Sequence, residues 1–230
     1  MKHKDTKDVK VSFQIDLYPP DGDKVECICD KERFHNVELL NSEQQMLGMN
    51  WRRKSGWSIL KALVPIILYH RPYCIVEIGA GMSTYALAEI AEEAGVVLHS
   101  VDRNPKKNVR LFQDHYFHLT TSANFIEEFD TWDENPAVVF IDADHHYEAA
   151  KIEFDYFFDK LVPGGVIFLH DTMPPHEAHL RGDACGDVYR LRQELEKRDD
   201  LDCLTWPYTA DFSGLTMVMK HYKDRGYWEK

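Results

Sequence analysis

No stretch of the 230-residue chain is long and apolar enough to read as a bilayer span. The longest apolar run, Ile59 to Tyr69, carries Lys61 and Pro65, and a spanning helix needs about 20 predominantly apolar residues. No secretory leader is expected either, because Met1-Lys2-His3-Lys4 runs into polar residues rather than an apolar core. Cysteine is scarce: five residues, an odd number with no paired spacing beyond Cys27-x-Cys29, fit a reducing compartment better than a disulfide framework and give no zinc-binding pattern. There is no excess of positive charge. A formal net charge of −12 argues against nucleic acid as the main partner, since phosphate binding needs concentrated Lys and Arg. Internal repeats, low-complexity tracts and Gly/Ser-rich linkers are also absent. With 44% hydrophobic residues, the chain can bury one sizeable α/β core but not a second domain of comparable size. These limits lead us to expect a soluble cytoplasmic protein with one domain over residues 57–230 and an N-terminal extension over 1–56.

What is present centres on Val76-Glu77-Ile78-Gly79-Ala80-Gly81-Met82-Ser83-Thr84, where an apolar strand run meets a glycine turn and then the helical pattern of Tyr85 to Ala91. Gly79 and Gly81 supply the bend. Lacking Cβ atoms, they can take positive φ and admit a ligand to the backbone, opposite the free N–H groups that open the next helix. Thr84 stands where the dinucleotide fingerprint has its third glycine, which counts against a dinucleotide. About twenty residues on, Val96 to Asp102 reads as a second strand ending in an acid, the place from which adenosine-binding βαβ folds hold ribose hydroxyls. Asp102 is therefore the candidate ribose ligand, with a plain turn through Asp102-Arg103-Asn104-Pro105 as the structural alternative.

Further along, Tyr116 to Thr121 fits a third strand, and Ser122 opens a helix through Phe129, either as its cap or as a ligand-binding hydroxyl. Ala137 to Ile141 is a continuous apolar run, as expected for a parallel strand covered on both faces. It ends in Asp142, Asp144, His145 and His146, and after the helix Tyr147 to Leu161 the next strand, Val166 to Leu169, ends in His170-Asp171. In open α/β sheets ligands bind outside the carboxyl ends of the strands, so these two ends suggest one shared site. Asp187 to Arg198 reads as a capped amphipathic helix, and the segments 201–206 and 214–220 as a closing antiparallel pair. The extension should hold a hairpin, Val9 to Tyr18 with Lys24 to Cys29, and a helix opening at Ser42 to Leu47; another helix runs from Ser58 to Tyr69. Trp51-Arg52-Arg53-Lys54-Ser55-Gly56-Trp57 reads as a solvated helix entry, with contact to a substrate phosphate or carboxylate as the alternative, and His176-x-x-His179 as part of a loop rather than a metal pair.

Glu77-x-Gly79-x-Gly81-x-Ser83-Thr84, Val101-Asp102, Phe140 to His145 and Pro163 to Asp171, in this order, resemble a class I S-adenosylmethionine-dependent methyltransferase. More narrowly they resemble the branch of catechol-type and of macrolide and aminocoumarin sugar O-methyltransferases. The resemblance implies a Rossmann-like, mostly parallel seven-stranded sheet with helices on both faces and S-adenosylmethionine across the carboxyl ends of the first strands. It assigns Glu77, Gly79, Gly81, Ser83, Thr84, Asp102, Ser122 and Asp142 to that cofactor, with Ser122 on the adenine side, and places the leading segment over the substrate. In catechol-type relatives the residue matching Asp142 and an acidic pair after the fifth strand hold Mg²⁺. Here the pair is His170-Asp171, and an imidazole favours a softer divalent ion, or none. His145 occupies the place of the lysine base, so the resemblance gives it deprotonation of the acceptor with Asp142 beside it; a loop-fixing histidine is the alternative. Three functions compete: methylation of a small-molecule hydroxyl, NAD-linked oxidoreduction, and a silent S-adenosylmethionine-binding module. The acceptor stays open among a catechol, a sugar hydroxyl and another small polar metabolite, and a homo-oligomer is compatible with all of them.

Overall fold

The computed structural model describes residues 11–15, 25–29, 34–35, 57–104, 114–181, 184–207 and 213–221. The expected hairpin is present as Val11–Ile15 (β1) antiparallel to Val25–Cys29 (β2), a two-stranded ladder of its own. The helix expected at Ser42 to Leu47, the basic run 51–56 and the tail from Tyr222 lie outside the described residues.

The main sheet is built from Phe34–His35 (β3), Ile75–Ile78 (β4), Leu98–Asp102 (β5), His115–Leu119 (β6), Val138–Ile141 (β7), Val166–His170 (β8), Leu201–Trp206 (β9) and Leu215–Lys220 (β10). Its order is β3-β6-β5-β4-β7-β8-β10-β9. This is the expected seven-stranded sheet with the two-residue β3 added alongside β6. The strands from β6 to β8 pair in parallel, and β10 closes the sheet antiparallel to both β8 and β9. Every residue of β4, β5 and β7 is buried; β7 is apolar throughout, whereas β4 carries Glu77 and β5 carries His99, Ser100 and Asp102. After β4 the chain crosses to β5 on one side and later returns to β7 on the other, so the strand order reverses between β4 and β7 and opens a crevice at their carboxyl ends.

Strand alternation separates two cores. Ile75, Leu98, Val138 and Phe140 face Ser58–His70 (α1) and Met82–Ala94 (α2), meeting Leu60, Val64, Leu87 and Ile90. Val76, Val101, Val139 and Ile167 face Ser122–Phe129 (α3), Tyr147–Lys160 (α4) and Tyr189–Leu195 (α5), where Phe125, Phe129, Phe154, Phe157 and Leu191 fill the layer. Among the described residues no helix is long and apolar enough to cross a membrane.

Two caps differ from the sequence reading. Thr121, not Ser122, caps α3 by accepting the Asn124 N–H. Asp187 does not cap the helix that follows it; its carboxylate reaches back 40 positions to accept the Tyr147 N–H at 2.6 Å, and so serves the start of α4. The turn ahead of α5 directs the Asp187 side chain toward that unsatisfied N-terminus.

Glu153, on the buried face of α4, is an anomaly in this apolar layer: it is 2% exposed and neither carboxylate oxygen has a partner in hydrogen-bond geometry. Burial raises its pKa to about 7, opposed only in part by the Ser122 hydroxyl. A carboxyl raised in the folded state stabilises below its unfolded value of 4.5, and that contribution is lost as pH climbs to about 7. Glu153→Gln should therefore gain stability over the parent across this window by on the order of 1 kcal/mol per pH unit, and gain no more above it. Unfolding curves at pH 5, 6, 7 and 8 check this, and a difference that stays constant with pH would contradict it.

Candidate active site

The glycine turn is held from below by Glu77. This residue is fully buried on the α2 side of the sheet and accepts hydrogen bonds from Ser83 Oγ at 2.6 Å, Thr84 Oγ1 at 2.8 Å and, across the ladder, Ser100 Oγ at 2.6 Å. Burial raises its pKa to about 7 against the pull of these three hydroxyls. Thr84 Oγ1 in turn accepts the Gly81 N–H at 2.8 Å. The expected cofactor residues Glu77, Ser83 and Thr84 thus have their side chains bonded to one another beneath the turn.

Only one of the two glycines takes the conformation expected of both. Gly79 has φ of 93°, and a Cβ there would lie 2.2 Å from the Asp142 carbonyl oxygen. Gly81 is extended, φ −169°, and a Cβ there would meet nothing within 4 Å. The reversal is thus completed at Gly79, packed against the start of the β7 loop, while Gly81 leaves open space at the head of α2. Asp102 ends β5 as expected, 9% exposed, and its Oδ1 accepts the Asn104 N–H at 2.6 Å. Ser122 sits at the first turn of α3, just past the end of β6.

At the ends of β7 and β8 the structure brings Asp142, His145, His170 and Asp171 together. His170 Nδ1 lies 3.1 Å from Asp142 Oδ1 and 3.4 Å from Asp171 Oδ1. His145 Nε2 lies 3.3 Å from Asp171 Oδ2 and 3.6 Å from Asp142 Oδ1. Each imidazole therefore faces both carboxylates. Burial alone would raise Asp142 and depress His170; instead the imidazoles hold Asp142 well below the usual carboxylate range, and the carboxylates raise His170 to about 10. The Asp142 hydrogen bond raises His145 against its partial burial, with Asp171 and the Ala184 backbone carbonyl adding to the effect. Asp144 and His146 pair with each other on the exposed side of the loop, away from this group.

Asp171 is the one non-glycine among the described residues with positive φ, 58°, a conformation that costs a side-chain-bearing residue about 1–2 kcal/mol. The turn is braced on several sides: Met173 N–H donates to the Ser213 carbonyl at 2.7 Å, Arg192 Nε to the Thr172 carbonyl at 2.9 Å, and Thr216 Oγ1 to Thr172 Oγ1 at 2.8 Å. Strain held in this way aims the carboxylate into the cluster.

Sequence reasoning missed three neighbours. Trp57 packs on His170 with ring centroids 5.2 Å apart and edge-on to Phe140 at 5.4 Å, so the aromatic ending the basic run belongs to the site. Cys185 lies beside Asp171, its thiol pushed up to about 11 by burial. Gly186, φ 57°, presses so closely on His145 that a Cβ would fall 1.8 Å from the His145 carbonyl oxygen, which also accepts the Asp187 N–H at 3.0 Å. Only the glycine in the loop after the fifth strand hinted at this contact.

Two carboxylates and one imidazole, Asp142, His170 and Asp171, offer ligand atoms within 4.8 Å of one another. This donor set fits a divalent ion that accepts nitrogen as well as oxygen, such as Mn²⁺ or Zn²⁺, better than Mg²⁺.

Residues 76–172 match the family model described as a methyltransferase domain. No curated protein shows significant sequence similarity to the chain. Among solved structures, cofactor-bound Rv0187 from MTB is 19% identical with a TM-score of 0.56, over 74% of this chain and 82% of that one. The S-adenosylhomocysteine-bound methyltransferase PaMTH1 of Podospora anserina is 17% identical with a TM-score of 0.52, over 71% and 79%. TomG, an O-methyltransferase of Streptomyces achromogenes in complex with S-adenosylmethionine, is 18% identical with a TM-score of 0.50, over 71% and 80%. Residues 76–172 are thus similar to a methyltransferase domain, and these solved structures share the fold of the chain. The match leaves the oxidoreductase alternative without support.

Proposed function

We propose that this protein transfers the methyl group of S-adenosylmethionine to a hydroxyl of a small-molecule acceptor, in the crevice outside β4 and β7. The observation that carries this reading is the convergence of His145 on Asp142 and Asp171 at the strand ends where the sheet order reverses. A methyl carbon on a sulfonium is already activated, so the protein's part is to orient the two partners, exclude water and take a proton.

Gly79 and Gly81 let the methionine part of the donor approach the backbone at the head of α2, and Asp102 accepts hydrogen bonds from the ribose hydroxyls. Ser122 lies on the adenine side. Glu77, Ser83 and Thr84 shape the turn instead of touching the donor, because their side chains bond one another. The acceptor hydroxyl meets His145 Nε2 where the carboxylates converge. As its oxygen attacks in line, the S–C bond breaks, the O–C bond forms and the proton passes to Nε2; Asp142 and Asp171 stabilise the resulting imidazolium. A divalent ion on Asp142, His170 and Asp171 would acidify the hydroxyl. Trp57 packs on His170 at the edge of the site. TomG, described as an O-methyltransferase, supports a hydroxyl as the acceptor group.

S-adenosylhomocysteine should bind in calorimetry, and Asp102→Ala should weaken it by about 1.5–3 kcal/mol, the range for hydrogen bonds to a charged group. Tight NAD binding with no response to S-adenosylhomocysteine would overturn the reading.

Once an acceptor is found by screening, His145→Gln should keep the affinity for S-adenosylhomocysteine and lose about 10²–10⁴ in turnover. Because His145 is raised above 6.5, parental activity should fall on acidification with a midpoint above that value. Parental rates in the glutamine variant across the acid limb would make His145 a loop-fixing residue.

A further inference from the structure

At the opposite end of the sheet from this crevice, Cys74, His99 and Glu134 converge. Cys74 immediately precedes β4, His99 is the second residue of β5, and Glu134 lies in the loop between α3 and β7. Cys74 Sγ, a His99 ring nitrogen and a Glu134 carboxylate oxygen all lie within 4.8 Å of one another, and His99 Nε2 stands 3.1 Å from Glu134 Oε2. We propose that these three side chains form a second divalent-metal site, suited to Zn²⁺, that clasps the amino ends of β4 and β5 to the α3–β7 loop.

The donor set is the first argument. Thiolate, imidazole and carboxylate are the ligands borderline-soft Zn²⁺ takes, and a hard ion such as Mg²⁺ or Ca²⁺ does not choose sulfur. One thiolate and one carboxylate balance the two positive charges of the ion, so the filled site is neutral where it meets the core. Geometry is the second. With Zn–S near 2.3 Å and Zn–N or Zn–O near 2.0–2.1 Å, tetrahedral ligand atoms sit about 3.3–3.7 Å apart, so closing the site needs shifts of about 1 Å or less. Glu134, with 44% of its side chain exposed, leaves the fourth position reachable by water.

The surroundings are the third argument. The other nitrogen of His99, Nδ1, lies 3.1 Å from His118 Nε2, the outer hydrogen bond that fixes the tautomer and direction of a metal-binding imidazole. Tyr116 stacks on His99 at 5.4 Å, and Trp132 and Phe129 pack around it at 5.2 and 6.1 Å, locking the ring and excluding water from its flanks. Cysteine spacing hid this set because its ligands come from three separate segments. The placement follows from the sheet register, in which the start of β4 lies beside β5.

Cobalt(II) reports directly, since only a thiolate ligand gives an intense sulfur-to-cobalt charge-transfer band. Metal-stripped protein titrated with Co²⁺ should develop this band at one equivalent. It should vanish in Cys74→Ser and persist in Cys185→Ser, which separates this site from the crevice cluster beside Cys185. Zn²⁺ should displace the cobalt and raise the melting temperature of the parent, because it binds the folded state alone. Glu134→Ala, a change at a half-exposed position that should leave folding intact, should weaken the metal by tenfold or more. A parent that shows no charge-transfer band, or a band that survives in Cys74→Ser or is lost in Cys185→Ser, would overturn the proposal.

Discussion

The hydrogen bonds converging on Glu77 set the position of everything at the mouth of the sheet. Its carboxylate joins β4 to Ser100 on β5 and to Ser83 and Thr84 in the first turn of α2. Through Thr84 the constraint reaches the Gly81 N–H, so the path of the glycine turn is tied to the strand register. Among the described residues no cation pairs with it. Three hydroxyl donors satisfy the carboxylate, and its raised pKa shows how far it has been taken from water. With the turn fixed, Gly79 can lie directly against the Asp142 carbonyl, which links the glycine turn to the carboxyl end of β7.

The second half of the site depends on charge balance. Two carboxylates held close together would repel each other; a charged His170 lies between them, and His145 adds a second positive charge when it is protonated. His170 supplies the deeper counter-charge, shielded by Trp57, while His145 stands on a loop pinned by Gly186 and Asp187. The difference in depth suits different roles. The more buried His170 is raised to about 10 by the carboxylates, whereas the more accessible His145 suits the proton exchange proposed for it.

Most of the sheet could be read from the chain because a parallel strand covered on both faces is rich in apolar residues: Val138–Ile141 and Val166–Leu169 are apolar throughout, and Ile75–Ile78 is interrupted only by Glu77. The polar groups that follow these runs were legible as strand ends for the same reason, and the structure brings Asp142, His145, His170 and Asp171 together there. What sequence did not reveal is how side chains pair between elements. Ser83 and Thr84 turn inward because register brings Glu77 beneath them, Asp187 serves a helix 40 positions earlier, and Trp57 reaches His170 across the sheet. Cys74, His99 and Glu134 converge for the same reason, through packing that local periodicity does not encode.

A crystal structure of the protein with S-adenosylhomocysteine tests the central claim most directly. The account predicts the ribose hydroxyls on Asp102, the amino-acid part over Gly79 and Gly81, and the sulfur directed toward Asp142 and His145. Ligand density on any other face of the sheet, or a ribose held away from Asp102, would contradict it.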